Sequence, residues 1–186
     1  MSFFKDLFVK IFKDKNRNEP WLSYYSKEDK SIKFTDNTIY EYLVDSVGED
    51  RDFIALNYFG NRISYNSLFD SINKASKSLR SLGVKQGDIV TICMPNTPEA
   101  VILFYAINKI GAVADMIHPL SSASQVKHYL NESKSRILFL IDISYDRVKD
   151  ILPENSVFKT IITSPKDSMP LLLGVGYKLT KGLKTK

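Results

Sequence analysis

Residues 64–119 read SYNSLFDSINKASKSLRSLGVKQGDIVTICMPNTPEAVILFYAINKIGAVADMIHP, and they hold two helix patterns and two strand patterns in direct succession. Ser64 is a suitable N-cap for the first helix, and apolar residues then recur at steps of four and three, which places them on one face. These inward residues are Leu68, Ile72, Ala75, Leu79 and Leu82. Gly83 follows where a left-handed stop is needed, so we predict that an amphipathic helix ends there.

The second half of this stretch predicts two strands joined by a buried helix. Ile89–Met94 is a short, β-branched, nearly all-apolar run, as is typical of a strand covered on both faces, and Ala112–Ile117 is predicted as another strand. Between them, Thr97 is a cap with proline at the next position, and Ala100–Ile110 is apolar almost all round. The pattern predicts a βαβ unit with parallel strands and a right-handed crossover.

The segments before this stretch predict a helix and a hairpin. Thr38 is a candidate cap for a short helix that ends at Gly48. Phe53–Tyr58 has the composition of a strand, and residues 59–61 form a turn into a second short strand over residues 62–65.

The segments after it alternate between helix and strand. Ser122 with Gln125 is a capping-box pattern, and its helix is predicted to turn Val126, Tyr129 and Leu130 inward. Three further elements follow: Ile137–Ile141 as a central parallel strand, a helix opened by Ser144 and stopped by Pro153, and Thr160–Thr163 as a last strand. We therefore predict an α/β fold, layered, with a mostly parallel sheet flanked by helices.

The distribution of charge disfavours a nucleic-acid-binding role. The chain has 186 residues, of which 44% are hydrophobic and 25% charged, and a formal net charge of +5. Residues 1–17 have a surplus of three positive charges and residues 166–186 a surplus of four, which leaves −2 for the residues between them. Nucleic-acid binders more often carry their basic residues on the folded body.

Residues 1–19 are predicted to form a basic amphipathic leader helix. Six large apolar side chains share one face of it: Phe3, Phe4, Leu7, Phe8, Ile11 and Phe12. One interpretation is an interfacial helix whose apolar face contacts an anionic membrane. The alternative is a helix that packs on the protein body or on a partner, with its lysines in solvent.

We expect the protein to be cytoplasmic. The predicted leader helix would also allow peripheral contact with a membrane. Cys93 is the single cysteine, so an internal disulfide and a zinc site built from cysteines are excluded, and its place in a strand predicts a buried thiol. Lys5, Asp6 and Lys10 interrupt the first residues too often for a signal peptide. No apolar run approaches the ~20 residues of a membrane span.

Residues 166–186 depart from the α/β rhythm and are predicted to be a basic tail. Met169–Leu173 is apolar, and Gly174 and Gly176 are expected to loosen the chain. This Gly-Val-Gly sequence follows no strand and lacks the third glycine of the dinucleotide fingerprint, so we do not expect it to bind phosphate.

Few side chains are candidates for chemistry. His118 comes just after a predicted strand, where α/β proteins place ligands, so it is a ligand candidate; the alternative is a capping or surface histidine. Asp115 lies inside a strand and needs a hydrogen-bond partner or a shifted pKa. The turn over residues 95–98 has no glycine and contains two prolines, so it does not form a dinucleotide-type phosphate cradle.

Five short motifs in order resemble the opening of the AMP-forming acyl-CoA ligases of the adenylate-forming superfamily, with the long-chain fatty acid members fitting best. The motifs are Arg62-Ile63-Ser64-Tyr65 with Leu68, Leu82-Gly83-Val84 with Gly87-Asp88, Pro95-Asn96-Thr97-Pro98-Glu99, Gly111-Ala112-Val113, and Pro119. The similarity runs from about Pro20-Trp21-Leu22 to Asp142. Met116 and His118 depart from it, because many members have Pro and Asn there.

The resemblance implies that residues 20–165 are the N-terminal subdomain of such a ligase and that residues 166–186 are a truncated connection to a missing nucleotide-binding part. Complete members activate a carboxylic acid with ATP and Mg as an acyl-adenylate and pass it to CoA. Their phosphate loop, magnesium segment, ribose aspartate and lid lysine lie downstream of the matched part. We therefore assign no catalytic, cofactor-binding or metal-binding residue here, and expect a structural platform that is inactive alone. Two alternatives stay open, a non-enzymatic membrane- or partner-docking module and a fragment of an aryl-acid ligase or adenylation domain.

Overall fold

The computed structural model describes residues 24–32, 36–154, 157 and 159–179, and the chain divides into two compact units, residues 1–36 and 37–186. In the first unit a five-residue helix, α1 (Lys27–Ser31), begins after Ser26, whose Oγ accepts a hydrogen bond from the Asp29 amide at 3.1 Å. The aperiodic sequence did not predict this helix. The leader helix predicted over residues 1–19 lies outside the described residues.

The second unit opens with a capped helix and a hairpin. Helix α2 (Ile39–Val47) begins with a capping box of Thr38 and Glu41, and these hydrogen bonds lower the pKa of the Glu41 carboxyl. Strands β1 (Ile54–Tyr58) and β2 (Asn61–Ser64) pair antiparallel. The two residues between them both have positive φ, 51° and 88°, as in the tight turns that suit the twist of a hairpin. The predicted helix and hairpin are confirmed.

The predicted βαβ unit is present with nearly the expected bounds. Helix α3 (Tyr65–Ser81) is capped by Ser64 and leads into strand β3 (Ile89–Cys93). Helix α4 (Pro98–Lys109), capped by Thr97, then leads into strand β4 (Val113–Met116), which pairs parallel with β3. Every residue of α4 is buried or half-buried, as its all-round apolar composition predicts.

The remaining elements complete a four-stranded parallel sheet. They are α5 (Ala123–Ser133), β5 (Ile137–Ile141), α6 (Asp142–Val148), a 3-10 helix (Lys149–Glu154) and β6 (Lys159–Thr163). The strand order is β4-β3-β5-β6, and every pairing in this sheet is parallel. The sequence thus predicted the fold class correctly, an α/β layered sheet with flanking helices.

The core lies on both faces of the sheet. Alternate residues of β5 point to opposite sides: Ile137, Phe139 and Ile141 pack with α3 and α4, whereas Leu138 and Leu140 pack with α5 and α6. All five are buried, which confirms β5 as a central strand. The sheet is therefore enclosed by helices on each side, the arrangement that parallel sheets require.

Three details of the sequence interpretation are wrong. Tyr129 does not point inward and is 41% exposed, whereas Val126 and Leu130 are the buried residues of α5. Ser144 does not open α6, since the helix begins at Asp142, and the buried Ser144 hydroxyl donates to the Pro119 carbonyl at 2.9 Å instead. Pro153 does not end this helix; it lies within the 3-10 helix that follows it.

The C-terminal residues are also more regular than predicted. A 3-10 helix (Pro165–Ser168) precedes α7 (Leu171–Tyr177), whose first helical hydrogen bond runs from the Gly174 amide to the Pro170 carbonyl at 2.9 Å. Gly174 and Gly176 therefore lie within a helix and do not loosen the chain. A Cβ on Gly174 would lie 3.5 Å from the Lys166 carbonyl oxygen, an ordinary van der Waals contact, so the packing here does not require glycine.

Candidate functional site at the carboxyl edge of the parallel sheet

An open cleft lies where β3 and β4 end. It has a volume of about 430 Å³ and is lined by Met94, Pro95, Asn96, Met116, Ile117, His118 and Pro119. The strands are parallel, so the residues that follow them meet at one edge of the sheet, the edge at which open α/β sheets bind ligands. The position predicted for His118, just past a strand, is confirmed, and its side chain is exposed.

His118 also organises the turn that leaves the sheet. Its Nδ1 accepts a hydrogen bond from the Leu120 amide at 3.2 Å, and its carbonyl lies 3.8 Å from the Cys93 Sγ. An accepting Nδ1 places the imidazole proton of the neutral ring on Nε2. This hydrogen bond lies within the turn, and Ser122 caps the helix that follows, so the structure shows an exposed surface histidine. A ligand role through Nε2 stays a prediction.

The turn after β3 caps the helix that follows and offers few free backbone amides to an anion. Thr97 Oγ1 accepts from the Ala100 amide at 3.3 Å, and the Thr97 amide donates to the Pro95 carbonyl at 2.8 Å. Pro95 and Pro98 have no amide proton to offer. The carboxylate of Glu99 occupies the first turn of α4, where it already complements the positive end of the helix. A phosphate at this helix terminus would meet a negative charge and few free amides.

Glu99 belongs to a group of acidic and phenolic side chains that the sequence analysis did not single out. Its Oε1 accepts a hydrogen bond from the Ser168 hydroxyl, while its Oε2 is buried with no hydrogen-bond partner among the described residues. The pKa of Tyr58 is raised, first by burial and then by the charge of Glu99. The pKa of Tyr177 is raised by burial, and further by the charge of Asp142 and a hydrogen bond with it.

These four residues lie on β1, α4, α6 and α7, so no local spacing connects them. The sequence analysis named three of them for other reasons and did not group them: Tyr58 as the end of a strand, Glu99 in a family motif and Asp142 as the limit of the similarity. The group brings two carboxylates and two phenols to the same end of the sheet, and a buried carboxylate oxygen without a donor is an acceptor for a further group. No three or more His, Cys, Asp or Glu side chains within the described ranges are arranged to hold a metal ion.

Two buried polar groups in the strands have structural partners. Thr91 Oγ1 donates to Asp115 Oδ2 at 2.8 Å, so the carboxylate on strand β4 has the partner that its position requires. Cys93 is 1% exposed, and burial is the main cause that raises the pKa of its thiol to about 11. At neutral pH it is a buried thiol and not a thiolate, as predicted, and this argues against a nucleophilic role.

Comparisons with known proteins match both the sequence and the fold. The AMP-binding enzyme family model covers residues 43–174. A long-chain-fatty-acid–CoA ligase of Bacillus subtilis is 23% identical over 164 residues, which is 88% of this chain and 29% of that ligase. A 4-coumarate–CoA ligase of Vanilla planifolia is 32% identical over 84 residues, 45% of this chain and 15% of the relative.

A solved long-chain-fatty-acid–CoA ligase from Archaeoglobus fulgidus has the same fold, with a TM-score of 0.66 at 18% identity over 75% of this chain and 31% of that one. The chain thus spans about a third or less of the relatives it matches. The family match covers more than two thirds of the chain and includes α3, α4 and all four strands of the parallel sheet. The chain therefore belongs to the AMP-binding enzyme family, the adenylate-forming acyl-CoA ligases, as its motifs indicated.

Proposed function

We propose that this chain is the N-terminal platform of an AMP-forming ligase that joins a long-chain fatty acid to CoA. In that reaction the fatty carboxylate attacks the α-phosphorus of ATP, pyrophosphate leaves, and the CoA thiol then displaces AMP from the acyl-adenylate. The observation that carries the choice of acid is the extent of similarity. The Bacillus ligase named for long-chain fatty acids matches 88% of this chain, whereas the relative named for 4-coumarate matches 45%.

The chain's own contribution is structural in this proposal. It supplies a rigid sheet, and the cleft beside His118 at the carboxyl edge becomes one wall of a site that the rest of the enzyme completes. ATP, Mg and CoA bind to the complete enzyme. Within the described residues, the two candidate phosphate sites are poor: Glu99 lies in the first turn of α4, and the glycines of α7 lie inside a helix. We place the enzyme in the cytoplasm, with peripheral contact to membranes.

The test is a pyrophosphate-release assay on two proteins, residues 1–186 and the complete product of the gene that encodes them. We expect no turnover from the 186-residue chain with palmitate, because positioned charge supplies most of the rate in such chemistry. The complete protein should release pyrophosphate with palmitate and much less with acetate or 4-coumarate.

Three results would contradict the proposal. Turnover by residues 1–186 that a single substitution in this chain abolishes would show that the platform is itself a catalyst. A complete protein that prefers 4-coumarate to palmitate would replace the fatty acid by an aryl acid. A complete protein with no activity on any acid would favour the non-enzymatic docking module.

A further inference from the structure

Helix α7 exposes a row of apolar side chains. Leu171 is 86% exposed, Leu172 84%, Leu179 66% and Val175 50%. At 3.6 residues per turn these four side chains fall within about 100° of one another on the helix surface, and we call them the leucine stripe. Single exposed leucines are ordinary, whereas a contiguous apolar row marks a surface that another group covers.

The other side of α7 faces the protein body, and this fixes the orientation of the leucine stripe. Gly174 and Tyr177 are the half-buried residues of the helix. The 3-10 helix in front of α7 is held by two long-range contacts. Asn61 Nδ2 donates to the Ser168 carbonyl at 2.8 Å, and the Ser168 hydroxyl donates to Glu99. The stripe therefore cannot turn inward unless these contacts break.

Helix α7 has little stability of its own. It consists of seven residues, two of them glycine, and no side chain of the described residues caps its N-terminus. A helix this short depends on tertiary packing, and glycine lowers its intrinsic stability further. One side of the helix already packs on the body. We therefore expect the helix to be better ordered when the leucine stripe is covered as well.

Two observations favour the remaining part of the same ligase as the cover. The Bacillus ligase is matched over only 29% of its length, so most of such an enzyme lies outside these residues. The family match extends to residue 174, inside α7, so this helix belongs to the part shared with the family. A segment of the same chain is tethered to the stripe and covers it without the loss of translational freedom that a separate partner incurs.

A lipid surface and a second copy fit the leucine stripe less well. The seven residues of α7 include no charged side chain, whereas helices that lie on anionic membranes have basic residues along their polar face. The stripe spans fewer than three helical turns, so its area is far below the ~800 Å² per partner of a stable dimer. Among the described ranges, no helix is long and apolar enough to cross a membrane.

We propose that the leucine stripe is a surface on which the part of the ligase outside these 186 residues packs. The proposal rests on the proposed function, because it takes the chain to be the N-terminal part of a longer ligase. An apolar segment of that remaining part covers the four side chains. Helix α7, in a region predicted from the sequence to be a basic tail, thereby joins the platform to the rest of the enzyme.

Cysteine labelling compares the stripe in the 186-residue chain and in the complete gene product. Leu172→Cys places a thiol on the stripe, and Lys77→Cys is the matched control, because Lys77 is an exposed residue of α3. Cys93 is buried and the pKa of its thiol is raised, so it reacts slowly with a maleimide at neutral pH. Mass spectrometry of the peptides gives the labelling rate at each position. We expect the rate at position 172 to be about tenfold lower in the complete protein, and the rate at position 77 to be equal in both.

Two further measurements do not depend on an introduced cysteine. Hydrogen exchange of the α7 amides should be slower in the complete protein than in the 186-residue chain, because a covered helix opens less often. Leu172→Ser should leave the Tm of the 186-residue chain unchanged, because this side chain is in solvent there. The same substitution should lower the Tm of the complete protein by ~2 °C or more.

Three results would overturn the proposal. Equal labelling at position 172 in the two proteins, together with equal exchange of α7, would mean that the ligase leaves the stripe uncovered. A rate in the complete protein that falls only when phosphatidylglycerol vesicles are added would assign the stripe to a lipid surface. A rate in the 186-residue chain that falls as its concentration rises would assign it to a second copy.

These measurements need no acid, ATP or CoA, so they separate this inference from the proposed function. A complete protein that protects position 172 but releases no pyrophosphate with palmitate would refute the proposed reaction and support the packing of the stripe. A complete protein that is active with palmitate while position 172 stays as reactive as in the shorter chain would refute the packing alone.

Discussion

Replacing Leu79 by alanine should destabilise the protein by about 3 kcal/mol. Leu79 lies near the end of α3, is 1% exposed, and belongs to the larger core cluster on the α3–α4 face of the sheet. The substitution removes three carbon atoms, worth ~0.8 kcal/mol each in transfer free energy. A cavity term adds to this, because the close-packed residues of the same core cluster relax only in part.

The measurement is urea unfolding followed by circular dichroism. With a slope of about 2 kcal/mol per molar urea, a loss of 3 kcal/mol lowers the midpoint by ~1.5 M. Lys77→Ala is the matched control in the same helix: Lys77 is exposed, and lysine and alanine are both good helix formers, so its effect should stay within ~0.5 kcal/mol. Equal midpoints for the two variants would refute the assignment of the inward face of α3.

Two further predictions concern the buried polar groups of strand β3. Thr91→Val should lower the free energy of unfolding by ~1–3 kcal/mol, because it removes the donor to Asp115. Thr91→Ser keeps the hydroxyl and should retain most of the stability. Equal losses for the two variants would mean that packing and not the hydrogen bond matters. The wild type should be more stable than Cys93→Ala, with the full difference below pH 9 and a smaller difference as the pH rises towards 11. The reason is that burial raises the pKa of the native thiol from 9.0 to about 11, so the thiol of the unfolded chain ionises first. An advantage that stays constant over this range would contradict the burial of this thiol.

The sequence predicted those parts of the fold that depend on local patterns. Ser64, Thr97 and Ser122 each cap the helix that follows, and the five apolar residues of β5 form a fully buried strand. The physical reason is that a helix cap and a hydrophobic repeat involve residues only one or two helical turns apart, so the local sequence is enough to recognise them.

Features set by distant parts of the chain were not predicted. Phe69 is 6% exposed although it lies off the predicted row of α3, because its ring lies 6.4 Å from that of Tyr40 in an edge-on contact and Arg51 stacks over it at 5.5 Å. The group around Glu99 and Tyr177 was missed for the same reason, since its members come from four elements. The helix over the two glycines of α7 was missed because glycine has a low intrinsic helix propensity, which tertiary contacts override here.

The strand order has a consequence for how the protein is made. β3 lies between β4 and β5, and in the register Thr91 stands beside both Asp115 and Leu138. During synthesis, the chain up to residue 119 can therefore pair β3 on one side only. The other edge of β3, with the apolar residues Val90 and Ile92, stays unpaired until β5 leaves the ribosome. For that interval an open strand edge is available to other chains, and a ribosome that stalls before residue 141 leaves a nascent chain suited to chaperone capture or aggregation.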